Sequence, residues 1–252
     1  MAADNDTIRG KTALVTGGAK RLGRAISLAL ARAGCNVIVH HNRSADEAEK
    51  LLGEIKALGV ASWKTSCDLA DLDSTARLVR ETTEEAGHID ILVNNASVFP
   101  ESRLERIGID ELHRTLDINA FAPLMLAREF AKQTVEGVIV NILDSRIRRI
   151  DLDHAGYQLS KNMLHTLTGM MAAAFAPGIR VNGVAPGMIL PPPDRDEAYL
   201  SGISERTLTG GHGSPEDIAQ AVLFLAGSPF TTGEVIYVDG GENTKRRTYD
   251  GM

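Results

Sequence analysis

Thr12-Ala13-Leu14-Val15-Thr16-Gly17-Gly18-Ala19-Lys20-Arg21-Leu22-Gly23 decides the fold. A short apolar run, β-branched at its ends, stops at a glycine turn, and an amphipathic segment follows over 22–33. A strand that passes through glycine into a helix brings backbone amides to the positive end of that helix, where a pyrophosphate binds. Gly17 and Gly23 hold the outer places of a Thr-Gly-x-x-x-Gly-x-Gly pattern, and Arg21 stands at its middle glycine. Arginine there adds a fixed charge and a forked donor. A plain tight turn would also use glycine, but a turn between the first strand and the first helix favours a nucleotide.

Outward from this stretch, short β-branched runs alternate with longer amphipathic segments. The pattern predicts strands over 12–16, 36–40, 61–65, 89–94, 137–143, 180–185 and 234–238. It predicts helices over 22–33, 45–58, 72–86, 111–133, 155–174 and 215–226, with Gly34 and Gly59 at helix C-termini. Such alternation implies an α/β, single-domain, Rossmann-type doubly wound parallel sheet, with ligands outside the carboxyl ends of the strands. No linker divides residues 1–252. A cofactor-binding core is expected over 7–187, a substrate loop over 188–214 and a C-terminal tail over 242–252. The irregular stretch 187–214 contains Pro191-Pro192-Pro193, and a loop of that length in a compact domain is usually a lid or binding loop.

The 252 residues are 43% apolar, enough for one packed core, and carry a net charge of -6. That balance argues against nucleic acid as a partner. No apolar run reaches membrane-spanning length, and Met1-Ala2-Ala3-Asp4-Asn5-Asp6 is too polar for a signal peptide. Cys35 and Cys67 are too few for a disulfide framework and fit reduced thiols in the cytoplasm.

The end of the second strand selects the nucleotide. An NAD site usually places a carboxylate there for the ribose hydroxyls. This chain has His40-His41-Asn42-Arg43-Ser44, with no acid before Asp46. A carboxylate would repel a 2′-phosphate; Arg43 and Ser44 would bind one, with Ser44 also able to cap the next helix. NADPH is the expected cofactor. Asp68, before Leu69, is placed to accept from an adenine amine, or equally to serve a turn.

Tyr157 and Lys161 stand four apart, on one face of a predicted helix, and Asp144 lies thirteen residues before the tyrosine. An ammonium near a phenol favours phenolate and lets tyrosine pass a proton near neutral pH. The pair alone is common on solvated helices. Asp144, if ionised, opposes Lys161 and favours the protonated phenol, which suits reduction of a C=N bond. Alternatively Asp144 points away and Ser145 stands beside the tyrosine. Pro123 cannot donate to the carbonyl of Asn119, so a kink is expected that frees this carbonyl to hold water, or that serves only packing. A flat aromatic substrate needs π-faces and polar rims. Phe99 offers a face, or a core side chain beneath the lid; Arg21 and Ser97 offer a rim. No metal-ligating constellation stands out.

The Thr16–Gly23 turn, Asn94-Asn95-Ala96, Asn119, Tyr157-x-x-x-Lys161 and Pro186-Gly187 resemble, in order and spacing, the short-chain dehydrogenase/reductase family over nearly the whole chain. The resemblance implies hydride transfer, with Tyr157 as proton donor and Lys161 on the nicotinamide ribose. It implies catalysis by Asp144, Tyr157, Lys161 and Asn119. It places the cofactor on Gly17, Arg21, Leu22, His41, Asn42, Arg43, Ser44, Asp68, Leu69, Asn95, Ala96, Ser97, Tyr157, Lys161, Pro186 and Gly187. Three departures narrow it: Asp144 for the usual serine, Ser97 for glycine with Phe99 two residues later, and Arg21 in the turn. Together they look like the pteridine reductases. That likeness implies that Phe99 stacks on a pterin or folate ring, and that Arg21, Ser97, Asp144 and Tyr157 line the pocket. It further implies a homotetramer, with Met163, Leu164, Leu167 and Met171 facing a partner or the core, and Arg246 or Arg247 either reaching a neighbour's pocket or lying in a solvated tail. The rivals are a generic NADPH carbonyl reductase, such as a β-ketoacyl reductase, and a non-catalytic NADP-binding sensor.

Overall fold

The computed structural model describes residues 7–191, 200 and 206–245. Its seven strands form one parallel sheet, ordered β3-β2-β1-β4-β5-β6-β7. The strands are β1 (Thr12–Val15), β2 (Asn36–His41), β3 (Ser62–Ser66), β4 (Ile91–Asn94), β5 (Gly137–Ile142), β6 (Ile179–Pro186) and β7 (Val235–Val238). The main helices are α1 (Arg21–Arg32), α2 (Ala45–Ala57), α3 (Leu72–Ala86), α4 (Ile109–Leu116), α5 (Ala122–Gln133), α6 (Ala155–Ala174) and α7 (Pro215–Gly227). Each predicted strand is present within two residues. The first crossovers build the sheet outward one way from β1 to β3. The chain then returns beside β1 as β4 and builds the other way, so the β1–β4 seam is the topological switch point.

Strand periodicity sorts the core into two layers. Ala13, Val15, Val37, Val39, Val138 and Val140 point to the face covered by α1, α2 and α7. Leu14, Ile38, Leu92, Ile139 and Val181 point to the opposite face, under α3, α5 and α6. Central strands are apolar on both faces because both faces are covered.

The predicted helix over 111–133 is α4 and α5 joined by a π-helical turn, Asp117–Phe121. There the Ala122 amide bonds to the carbonyl of Asp117, five residues back. Pro123 has no N–H to continue an α-helical ladder, so the turn widens by one residue. On α6, Leu164 and Met171 are core side chains, and Leu167 packs against that core, so these do not form a partner face. Leu159 and Met170 are the exposed apolar residues of this helix. Arg246 and Arg247 lie outside the described residues, as does much of the 188–214 loop.

Candidate active site

The carboxyl ends of β1, β2, β4, β5 and β6 converge on one edge. The glycine turn is built there first. Thr16 Oγ1 donates to the Val93 carbonyl (3.3 Å) and accepts the amides of Asn95 (2.9 Å) and Ala96 (3.0 Å). Asn95 Nδ2 donates to the carbonyls of Thr16 (2.9 Å) and Gly17 (3.2 Å). A Cβ at Gly23 would collide with the Gly17 carbonyl, so only glycine closes this turn. The N-terminus of α1 carries no side-chain cap and no acid in its first turn, leaving its positive end open to an anion. The cradle therefore fits a pyrophosphate.

His40 also holds this turn, although its sequence position offers no motif to reveal it. The Gly17 amide donates to His40 Nδ1 at 3.2 Å, and His40 Nε2 stands 3.1 Å from the Cys67 carbonyl. That pairing assigns the Nε2–H tautomer. Burial drives the His40 pKa down to about 4, so the ring is neutral at pH 7. His41, predicted at the cofactor, is buried with Nδ1 3.3 Å from the Asn42 carbonyl.

Around this cradle the other predicted cofactor residues fall at several depths. Asn42 and Arg43 are exposed, and Arg43 has no ion pair among the described residues. Ser44 occupies the N-cap of α2, but its hydroxyl makes no capping bond, which departs from the dual role expected of it. Asp68 serves a turn, accepting the Ala70 amide (3.0 Å); this bond, then Arg114, holds its carboxyl below the usual range. Leu22 packs half-buried on the core, and Leu69 is buried. At the end of β6, Gly187 donates to the Val238 carbonyl (2.9 Å) and lies too close to Asp239 for a side chain. Pro186 is half-buried beside it.

Arg21 adopts φ 51°, the left-handed region, where an L side chain costs about 1–2 kcal/mol. Glycine would carry no such cost. The arginine's exposed guanidinium donates to the Pro191 carbonyl at 2.6 Å, tying the turn to the start of the long loop.

The chemical cluster lies at β5 and the start of α6. Tyr157 donates its phenol proton to Asp144 Oδ2 at 2.8 Å. Burial, then the Asp144 charge, raises the Tyr157 pKa well above its ordinary value. The phenol therefore stays protonated, as expected where Asp144 opposes Lys161. Lys161 instead donates to the Ile142 carbonyl (2.8 Å), with Nζ 5.7 Å from the tyrosine ring centre. Its burial lowers the ammonium pKa to about 8.

Ser145 is buried next to this pair, and Asn243 Nδ2 caps its carbonyl at 2.9 Å. Asn119 is held through its side chain, in the π-helical turn before Pro123. Its Oδ1 accepts the Val98 amide (2.9 Å), and its Nδ2 donates to the Val98 carbonyl (2.9 Å) and Ser160 Oγ (3.0 Å). Phe99 is 43% exposed, with Tyr157 edge-on at 4.6 Å. Ser97 is exposed beside it. One face of Phe99 is already covered by His154, stacked at 3.9 Å. The Arg146 guanidinium also lies over this ring, 4.7 Å from its centre, so a flat ligand would meet only the exposed part of Phe99. Arg146, unremarked in the sequence, grips Asp144 through Nε (3.2 Å) and Nη2 (3.1 Å).

A switch-point glycine cradle beside a buried Tyr–Lys pair defines a dinucleotide-dependent oxidoreductase. The chain belongs to the short-chain dehydrogenase/reductase family: the family model described as enoyl-(acyl carrier protein) reductase matches residues 17–243. It is 34% identical over 242 residues to the 3-oxoacyl-[acyl-carrier-protein] reductase FabG of Staphylococcus aureus, covering 92% of this chain and 97% of that one. It is 32% identical to the 2-dehydro-3-deoxy-D-gluconate 5-dehydrogenase of Formosa agariphila, covering 96% of each. Among solved structures it is similar to the FolM alternative dihydrofolate reductase 1 of Brucella canis, complexed with NADP. The TM-score is 0.90 at 30% identity, covering 100% of this chain and 99% of that one.

Proposed function

We propose that this chain reduces pterin rings, dihydropterin or dihydrofolate to the tetrahydro form, with NADPH. The observation that carries the proposal is the 2.8 Å bond from Tyr157 to Asp144, a carboxylate where the family usually has serine. A carboxylate at the rim accepts from the amines of a pterin, and a keto group has no such donor to offer. The likeness to the Brucella dihydrofolate reductase supports the same reading.

The residues fit NADPH. Arg43 and Ser44 meet the 2′-phosphate, the Gly17–Gly23 turn meets the pyrophosphate, and Lys161 meets the nicotinamide ribose. When bound, NADPH supplies the hydride. Tyr157, kept protonated by burial and Asp144, supplies the proton to the ring nitrogen, directly or through a water held by Asp144. Phe99, 43% exposed, offers aromatic surface to the ring, with Ser97 at the rim.

A second reading, β-ketoacyl reduction, is favoured by the 34% identity to FabG. NADPH consumption with dihydrobiopterin, dihydrofolate and an acetoacetyl thioester, side by side, separates the two. Turnover of the thioester alone would overturn the pterin reading. A homotetramer belongs to the proposal, supported by the exposed Leu159 and Met170 on α6; equilibrium sedimentation tests it. A cytoplasmic location belongs to it as well, supported by the two free cysteines.

A further inference from the structure

Asp151 belongs to none of the motifs shared with the family, yet both its carboxylate oxygens are engaged. Oδ2 accepts from Arg146 Nη1 at 2.7 Å. Oδ1 accepts the amides of Asp153 (3.0 Å) and His154 (3.1 Å). His154 Nδ1 stands 3.2 Å from each oxygen. The side chain is 14% exposed. Burial pushes its pKa up, but the bonds from His154 and Arg146 outweigh this and hold it below the usual carboxylate range.

The two partners make different bonds beyond Asp151, although the Arg146 guanidinium also lies 4.7 Å over the Phe99 ring. Arg146 grips Asp144, which accepts the proton of Tyr157. His154 stacks on Phe99, with the rings 16° from parallel. One half-buried carboxylate thus braces both the group that orients the proton donor and the ring that backs the aromatic platform. We infer that Asp151 is a positioning residue that couples the proton-donating arm, through Arg146, to the substrate platform, through His154. The inference rests on Tyr157 as donor and Phe99 as platform.

Fixed bond directions make the coupling work. A guanidinium is a planar fork, so seating Nη1 on Asp151 sets the plane in which Nε and Nη2 meet Asp144. An imidazole beside a carboxylate presents its protonated nitrogen, so Asp151 fixes both the tautomer and the tilt of the ring behind Phe99. A flat ligand against the exposed part of Phe99 presses that ring onto His154, and the load reaches Tyr157 through Asp151, Arg146 and Asp144. A role confined to capping the turn before α6 would use Oδ1 alone, and would not require the Arg146 bond at Oδ2.

Asp151→Asn separates these roles, because the amide keeps an acceptor for the turn but places a donor against Arg146 or His154. Kinetics are read with NADPH and whichever of dihydrobiopterin, dihydrofolate or the acetoacetyl thioester the wild-type chain reduces. Asp151→Asn lowers kcat and raises KM, each by about tenfold, the scale of coupling within one hydrogen-bonded network. His154→Phe keeps the stack but drops the bond, and raises KM while kcat stays within about twofold. Kinetics unchanged in Asp151→Asn, with only its melting temperature lowered, would leave Asp151 a turn cap and overturn the inference. A readout free of any substrate comes from ¹⁵N-histidine spectra. Asp144→Asn shifts the His154 ring resonances in the wild-type background and not in the Asp151→Asn background. If the wild-type chain reduces none of the three substrates, the proposed function falls, and these spectra still decide the brace: resonances unmoved by Asp144→Asn would overturn it.

Discussion

Arg43 and Lys161 show how single charges divide the work of this site. Arg43 is exposed at the end of β2, where an NAD enzyme would carry an acid. Arg43→Ala is expected to weaken NADPH by about 1.5–3 kcal/mol, the scale of a charged hydrogen bond, and barely to touch NADH. Calorimetric titration of both cofactors checks this; equal losses would remove Arg43 from the 2′-phosphate site. Lys161 is buried, and its folded pKa of about 8 lies below its ordinary 10.5. Between those values the unfolded chain holds a proton that the folded chain has released, so stability rises with pH across that window. Below pH 8 the buried charge opposes folding in full, by on the order of 3 kcal/mol. Lys161→Met removes that charge but leaves the Ile142 carbonyl without its donor, an offset of about 1–3 kcal/mol. Its expected signature in urea unfolding is a chain at least as stable as wild type at pH 7, losing ground to it toward pH 10. A variant equally destabilised at both pH values would contradict the assignment. Tyr157 and Lys161 were legible from their spacing only together with Asp144 and the glycine turn upstream. The ionisation of Lys161 was not, because it depends on burial and on the Ile142 carbonyl, which spacing does not report.

At the scale of elements, the site depends on where regular structure breaks. The seven strands and the flanking helices are legible because periods of two and 3.6 survive in the sequence. The π-helical turn Asp117–Phe121 is not, since a helix that gains one residue keeps nearly the same apolar pattern. That turn carries Asn119, whose amide satisfies both the N–H and the carbonyl of Val98 and reaches Ser160 on α6. It therefore clamps the loop that carries Phe99 to the helix that carries Tyr157. Asn119→Ala leaves the two backbone groups of Val98 without partners. Stability should fall by about 2–6 kcal/mol, from roughly 1–3 kcal/mol for each unsatisfied group. Urea midpoints at unchanged slope measure the loss, and a midpoint equal to wild type would show that the clamp is not needed. The Arg146–Asp151–His154 brace was invisible for a related reason. It forms because the 3₁₀ turn Ser145–Arg148 doubles the chain back before α6, and an irregular loop has no period to read.

For the whole molecule, fold and function part company. Relatives 34% and 32% identical to this chain are described as a 3-oxoacyl-[acyl-carrier-protein] reductase and as a 2-dehydro-3-deoxy-D-gluconate 5-dehydrogenase. Substrate choice must come from the few groups on the carboxyl edge that depart from the common pattern. Asp144 is the most direct of these, since it touches the proton donor itself. Arg21 and Phe99 are weaker guides: Arg21 points to Pro191, and Phe99 has one face covered by His154. The central claim is therefore tested by steady-state turnover of a dihydropterin and of an acetoacetyl thioester in the wild-type chain and in Asp144→Ser. Serine restores the common family residue, so keto reduction should hold or rise. It cannot accept from a pterin amine or relay a proton as strongly, so pterin turnover should fall by about 10²–10⁴-fold, the range of general acid–base contributions. Pterin turnover unaltered by the change would make Asp144 structural and contradict the account.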